Sequence, residues 1–375
     1  VALALVDLTT AEVKGSLTLA NPQSRYGADV MSRMQQANAG YGRQLQEVMI
    51  RCLEQGVEQL LPGVGEKISS IVIAANTTMC HLLRGLSCET LGQAPFVPVE
   101  CSLAEFVYRG VPIYVLPQAS AFIGGDILAG LFALDALDWQ KPRLFLDLGT
   151  NGEMVLWNGR DFFATSAAAG PALEGGNISC GVAGIYGAIC DVTVTARGNR
   201  TTTIGGVPAI GLCGSGLLAA ISGMRRNGIL DEHWILRDEF LEKGYPFDTP
   251  GSARSIRLTQ EDIRQFLLAR SAIVSGYEIL METGGISPED LKEVVLAGGL
   301  GNHLKVSCGV DAGLFPRAFG PKIRNAGNTS LQGAIRYLLH ARDGNAAMEE
   351  LARRLQILSL AEHPKFHDKF IRNLE

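Results

Sequence analysis

The chain lacks the features that would place it in several large functional classes. Its most apolar run, Ile127 to Leu134, is bracketed by Asp126 and Asp135 and falls far short of the roughly 20 residues that cross a bilayer. No basic stripe with interleaved aromatics occurs, and a net charge of −5 with a pI near 5.8 gives no electrostatic footprint for nucleic acid. The cysteines (Cys52, Cys80, Cys88, Cys101, Cys180, Cys190, Cys213, Cys308) form no C-x-x-C pair and no ferredoxin-like run, so they read as reduced thiols of a cytoplasmic protein. His363 and His367 have the i, i+4 spacing of a metal pair, but Pro364 lies between them and no carboxylate motif accompanies them. Neither G-x-x-x-x-G-K-S/T nor G-x-G-x-x-G is present; Gly211-Leu-Cys-Gly-Ser-Gly has the wrong spacing. No charged n-region and cleavage site opens the sequence. It starts inside what reads as a strand, so the natural chain is expected to continue upstream.

What is abundant is glycine, 44 of 375 residues against an average near 7%. The glycines gather at strand ends, where loops lying close to a ligand need them. A 47% hydrophobic, 19% charged composition is ordinary for a globular protein, and the length suffices for two lobes. Val1 to Leu8 and Val13 to Ala20 read as a hairpin. The helical face rule is then followed by Leu45, Val48, Met49, Leu53, Val57 and Leu60 up to Pro62-Gly63. Ile68 to Ala75 and Val111 to Leu116 read as strands, with Asn76-Thr77-Thr78 capping one helix and Gly124-Gly125-Asp126 opening another. The second half repeats the order: a hairpin over Leu144–Asp147 and Met154–Trp157, a third strand Phe162–Ala169, a glycine- and β-rich insertion over 170–211, and a helix over Ser215–Met224. Thr259 and Asp262 predict a capping box, with Leu258 and Ile263 as its staple, on a helix ending at Gly284-Gly285. Ser287-Pro288 predicts a short helix, Glu293–Ala297 a buried strand, Asn328-Thr329 a last helix start, and the tail from Ala346 a helical segment. Two copies of hairpin, third strand, helix, strand, helix indicate a duplicated α/β unit. Ala75-Asn76 echoes Gly298-Gly299, and Asp126-Ile-Leu-Ala-Gly echoes Thr329-Ser-Leu-Gln-Gly.

The chemistry concentrates at Leu146-Asp-Leu-Gly-Thr-Asn-Gly-Glu153. Asn151-Gly152 between apolar strands predicts a tight primed turn. A turn of Gly149, Thr150, Asn151 and Gly152 can present several backbone N–H groups to a phosphate. Asp147, an acid in an apolar strand, would hold magnesium or orient water; the alternative is a brace to the turn's own amides. Gly298-Gly299-Leu300-Gly301-Asn302 follows a buried strand and would let an adenine or ribose lie against the backbone; the alternative is a plain strand turn.

DLGTNGE, ATSAAAGPALEGGNISCG from Ala164, GLCGSGL from Gly211, VVLAGGLGNH from Val294 and GNTSLQGA from Gly327 together resemble the reductive activators of corrinoid proteins. NPQSRYGADVMSRMQ from Asn21 and AANTTMCHLLRGL from Ala74 resemble the same family's middle region. The family consists of ferredoxin-fused members of the acetate kinase, sugar kinase, Hsp70 and actin superfamily. The resemblance implies an α/β fold of duplicated actin-like, ribonuclease H-like ATPase lobes. The first would cover residues 1–141, the second 142–345 with the insertion 170–211, and a helical tail 346–375. It implies ATP and magnesium as cofactors, a corrinoid protein as partner, a homodimer, and ATP hydrolysis coupled to reduction of Co(II) to Co(I).

Carried over by residue, the resemblance places the second phosphate loop at Asp147 to Glu153, with Gly149, Thr150, Asn151 and Gly152 on the nucleotide. The adenosine loop falls at Gly298, Gly299, Gly301 and Asn302. Asp147, Asp126 and Glu174 become catalytic candidates, with Asp147 also the magnesium ligand and Asp126 alternatively a helix N-cap. The family's first phosphate loop, an Asp-x-Gly-Thr-Thr-Thr turn, is expected immediately upstream of Val1, and its 2Fe-2S domain further upstream. No cysteine cluster here would carry the electron. A small-molecule kinase of the same superfamily, or a nucleotide-sensing partner-binding module without turnover, are the other readings of the same residues.

Overall fold

A computed structural model of the chain describes residues 1–61, 67–195, 198–253, 255–302 and 304–375. The expected helix stop at Pro62-Gly63 lies outside the described residues. The chain divides into two compact units, Val1–Asp138 with Asn328–Leu355, and Trp139–Gly327 with Gln356–Glu375.

In the first unit, strands Ala2–Val6 and Val13–Thr18 pair antiparallel as the expected hairpin. The helix Gly42–Leu60 buries Leu45, Met49, Cys52 and Gly56 along one stripe, as its apolar spacing dictates. A three-stranded sheet follows. Ile71–Ile73 runs parallel to Val111–Val115, which pairs antiparallel with Ala104–Tyr108. Asn76 caps the helix Thr77–Arg84, its Oδ1 accepting from the Met79 N–H at 2.9 Å. The hairpin is not extended by a third strand. Thr18 is followed by the 3-10 turn Pro22–Arg25, which Asn21 caps by accepting from the Gln23 N–H, so the first half does not copy the second strand for strand.

Helices Gly125–Ala133 and Thr329–Leu339 pack together in this unit. A side chain at Gly333 would strike the Ala129 carbonyl, so the helices touch backbone to backbone there. Further along, Arg336 Nη1 donates to the Phe132 carbonyl at 2.7 Å and Nη2 pairs with Asp135 at 2.5 Å. Residue numbers rise together on both helices, so they run in the same direction. Their first turns, bearing Asp126 and Thr329, therefore lie at the same end.

The second unit is built on a six-stranded sheet in the order Ile323–Gly327, Glu293–Ala297, Arg143–Leu148, Gly152–Trp157, Phe162–Ala167, Leu355–Ile357. The first three strands are parallel and the middle three antiparallel. Leu144, Leu146, Met154, Leu156 and Phe163 join one core with Ile273, Leu280 and the rest of helix Gln260–Gly284. Phe145 and Val155, on the other face, are also fully buried, as expected for a sheet covered on both sides. The predicted capping box is present: Thr259 Oγ1 accepts from the Asp262 N–H at 3.2 Å, and Asp262 accepts from the Thr259 N–H at 2.8 Å. The insertion forms the antiparallel pair Ala188–Thr195 and Gly198–Thr203, with the short strand Gly211–Leu212 parallel beside the former.

Two further sequence expectations fail. Ser287-Pro288 starts no helix, because the Asp290 carboxylate accepts from both the Ser287 N–H and hydroxyl and closes an isolated turn. The tail is not continuously helical either. Helix Ala341–Arg354 gives way to strand Leu355–Ile357, which adds to the sheet edge, before helix Phe366–Arg372. Periodicity alone did not see the sheet that this segment joins.

His81 ties the first unit together. It is fully buried, its Nδ1 lies 2.9 Å from the Thr77 carbonyl, and its Nε2 accepts from the Val99 N–H at 3.0 Å. Only the neutral ring with its proton on Nδ1 satisfies both bonds, and burial lowers its pKa. The unfolded chain therefore binds this proton more readily, so stability is lost as pH falls through the ordinary histidine range. Two outcomes are expected in urea titrations. Wild type loses stability between pH 7.5 and 5.5 by more than His81→Gln does. Gly333→Ala costs about 3 kcal/mol at any pH, the upper end for overpacking.

Candidate functional site

The parallel pairing of Arg143–Leu148 with Glu293–Ala297 sets Asp147 beside Ala297. Gly298, the next residue, has φ +87, and a Cβ there would lie 2.7 Å from Asp147 Oδ1. Position 298 therefore needs glycine twice over, for its left-handed backbone and for the carboxylate packed on its α-carbon. Two loops 150 residues apart in sequence thus meet at one strand end. Gly299 is different: a Cβ there would meet nothing within 4 Å, so a flat group has room to approach. Leu300 is buried and meets the helix start at Gly214, which anchors the 3-10 turn Gly299–Asn302. The side chain of Asn302 lies outside the described residues.

The turn after Asp147 differs from the expected primed turn. Leu148 pairs with Gly152, leaving a three-residue loop Gly149–Asn151, and none of residues 149–152 has positive φ. The Gly149 N–H closes on the Asn151 carbonyl at 2.9 Å, so this amide is turned into the loop rather than toward a ligand. The glycines are needed for space instead. A Cβ at Gly149 would be 3.3 Å from Glu174 Oε1, and one at Gly152 3.2 Å from Ile273.

Glu174 reaches this loop. It ends the 3-10 turn Pro171–Glu174, flanked by Gly170 at φ +75 and Gly175 at φ +85, and its carboxylate accepts from the Thr150 hydroxyl. Behind it, helix Gly214–Arg226 begins so close that a side chain at Gly214 would strike the Leu173 carbonyl. That contact is what the GLCGSGL run provides. Asp262, fully buried, also accepts from the Ser179 N–H and hydroxyl at 2.6 and 2.7 Å, fixing the segment that follows.

Sequence reading missed Glu153. The observed register places it directly opposite Asp147, so both carboxylates stand on one face. A two-residue turn at Asn151-Gly152 would have paired Glu153 with Thr150 instead. The three-residue loop was the signal, and the Asn-Gly pair concealed it.

Asp126 belongs to the first unit. Gly124, not Asp126, is the N-cap of helix Gly125–Ala133, and Asp126 Oδ1 accepts from the Ile127 N–H at 2.9 Å. The Gly124-Gly125 pair permits close approach: a Cβ on Gly125 would lie 3.0 Å from the Leu116 and Pro117 carbonyls. Two buried polar atoms, Thr329 Oγ1 and Gln118 Oε1, find no partner among the described residues. Burial pushes the Asp126 carboxyl up to about 6 even though it stands in a first helical turn, where the helix dipole favours the anion. The folded state binds this proton more tightly than the unfolded one, so the charged form costs stability as pH rises from the ordinary carboxylate range through about 6. Asp126→Asn is expected to raise stability at pH 7.5 by up to roughly 3 kcal/mol. In urea titrations the gain should shrink at pH 5; a gain constant with pH would assign it to packing.

Residues 1–138 match the family described as the RACo middle region, and residues 141–375 match the C-terminal domain of RACo, the ASKHA domain. Corrinoid activation enzyme RamQ of Eubacterium limosum is 30% identical over 401 residues, covering 98% of this chain and 67% of that protein. The Co(II) methylated amine-specific corrinoid protein reductase of Methanosarcina barkeri is 31% identical over 241 residues, 58% of this chain and 43% of that one. A solved reductive activator for corrinoid, iron-sulfur protein superposes with a TM-score of 0.89 at 29% identity, covering 99% of this chain and 63% of its own. The chain thus spans about two thirds of the length of the relatives it matches from end to end. The actin-like α/β fold class expected from the resemblance is borne out. The chain belongs to the RACo family, and comprises its middle region followed by its C-terminal ASKHA domain.

Proposed function

We propose that the intact protein is an ATP-dependent reductive activator of a corrinoid protein. ATP binding and hydrolysis would drive a one-electron reduction of Co(II) to Co(I), the electron coming from a reduced 2Fe-2S domain outside this chain. The activities named for the relatives support this reading. Within the chain, the observation that carries it is the meeting of Asp147, Gly298 and Glu174 at one strand end.

The residues fit their assigned groups. Asp147 and Glu153 are hard oxygen donors on one face, the chemistry magnesium takes. Like charges directly opposite on a sheet are unfavourable by themselves. Magnesium bound there would neutralise phosphate charge. Glu174, held by Thr150, would orient the attacking water, and Gly299 would let the adenosine approach its backbone. Gly298 keeps Asp147 aimed. Asp126, whose carboxyl burial pushes up to about 6, would be a water- or metal-positioning acid. A cytoplasmic location agrees with eight cysteines that are all free thiols.

In the full-length protein, Asp147→Ala is expected to lower ATP turnover at least 100-fold with its circular dichroism unchanged, and Glu174→Gln to lower it about tenfold. Turnover equal to wild type in Asp147→Ala would leave Asp147 a brace. Formation of Co(I), followed by absorbance, should require ATP; reduction at the same rate without ATP would exclude the coupling.

A further inference from the structure

The insertion carries a surface that the nucleotide chemistry does not use. No charged residue occurs between Gly175 and Cys190, nor between Thr201 and Met224. Within these stretches Tyr186 is 76% exposed and Ile185 54%, and Val207 and Ile210 are also exposed. They adjoin one another. The Gly187 N–H donates to the Ile204 carbonyl at 3.0 Å and the Ile210 N–H to the Gly187 carbonyl at 2.9 Å, while the Tyr186 ring covers the α-carbon of Gly205. Contiguous exposed apolar surface of this kind marks an interaction site, and aromatic, charge-poor patches are what interface centres are made of. Backbone pairing holds the patch in one shape, which lowers the ordering cost of binding.

The patch is also tied to the candidate nucleotide loops. A side chain at Gly175, the residue that ends the Glu174 turn, would strike the Val182 carbonyl, and one at Gly181 would strike the Gly175 carbonyl. Glu174 and Ile185 therefore sit on two segments in direct backbone contact, so a shift of the turn displaces the patch. The partner's chemistry matches. A corrin ring presents methyl groups and neutral carboxamides along its rim, and an uncharged apolar face edged by backbone amides complements it without desolvating a charge.

We propose that Ile185, Tyr186, Val207 and Ile210 form the face on which the corrinoid-bearing partner docks, an inference that rests on the activator reading above. The test uses the full-length protein with Ile185→Ser and Tyr186→Ser, and Val107→Ser as a control for an equally exposed apolar residue in the first unit. The probes are a Co(II)-loaded corrinoid iron-sulfur protein and a Co(II)-loaded methylated-amine corrinoid protein. Calorimetry should show wild type and the control binding one probe alike, each patch variant binding at least tenfold more weakly, and all variants retaining basal ATP turnover. Several results overturn the proposal while leaving the activator reading intact. These are wild-type binding by the patch variants, equal weakening by the control, or loss of ATP turnover along with binding. Dissociation of a homodimer with corrinoid-protein binding intact would do the same. Wild type binding neither probe would instead remove the activator reading, and the proposal with it.

Discussion

The contact on which the candidate site depends is that of the Asp147 carboxylate with the α-carbon of Gly298. It links the end of the strand that leads into the acidic turn to the start of the loop that leaves room over Gly299. The parallel pairing of the two strands brings the loops to the same height, but pairing alone would not set their spacing. The left-handed backbone at Gly298 and the missing side chain do that together. Any larger residue would push the carboxylate away from the face it shares with Glu153. A strand-end position in an open α/β sheet is where ligands collect.

Around this contact the protein uses backbone against backbone where a side chain would have introduced slack. Helix Gly214–Arg226 starts against the Leu173 carbonyl, and the turn bearing Glu174 is closed on both sides by glycines of positive φ. Asp262 then clamps Ser179 beyond it. Electrostatics follow a different pattern in the first unit, where burial raises the Asp126 carboxyl against the pull of the helix it begins. Orphaned atoms on Thr329 and Gln118 add to that unit's unsatisfied polarity.

Much of the fold was legible because it rests on local rules. The cap at Asn76, the Thr259–Asp262 box, the stripe of helix Gly42–Leu60 and the buried strand Glu293–Ala297 each follow from short-range patterns. The candidate residues around Asp147 and Gly298 were legible through motif and resemblance, and the structure brings those two together. What could not be read was register. Asn151-Gly152 indicated one turn, and the chain makes another because Gly149 and Gly152 are there for clearance from Glu174 and Ile273. That error alone hid Glu153. Glu174 had no pattern of its own beyond its flanking glycines, and its place beside Thr150 is a tertiary fact. The strand at Leu355–Ile357 exists because an open sheet edge accepts it, and its sequence is compatible with helix.

The register at this loop also bears on chemical ageing. Asparagine followed by glycine is the dipeptide most prone to cyclise to a succinimide, since glycine offers no steric shield to its own amide nitrogen. Here Gly152 is buried and its register pairs it with Leu148 on one side and Ala167 on the other, so the sheet restricts the backbone rotation that cyclisation requires. The same pairing that sets the two acids face to face thereby protects the loop from slow deamidation, which would add a negative charge beside any bound phosphate.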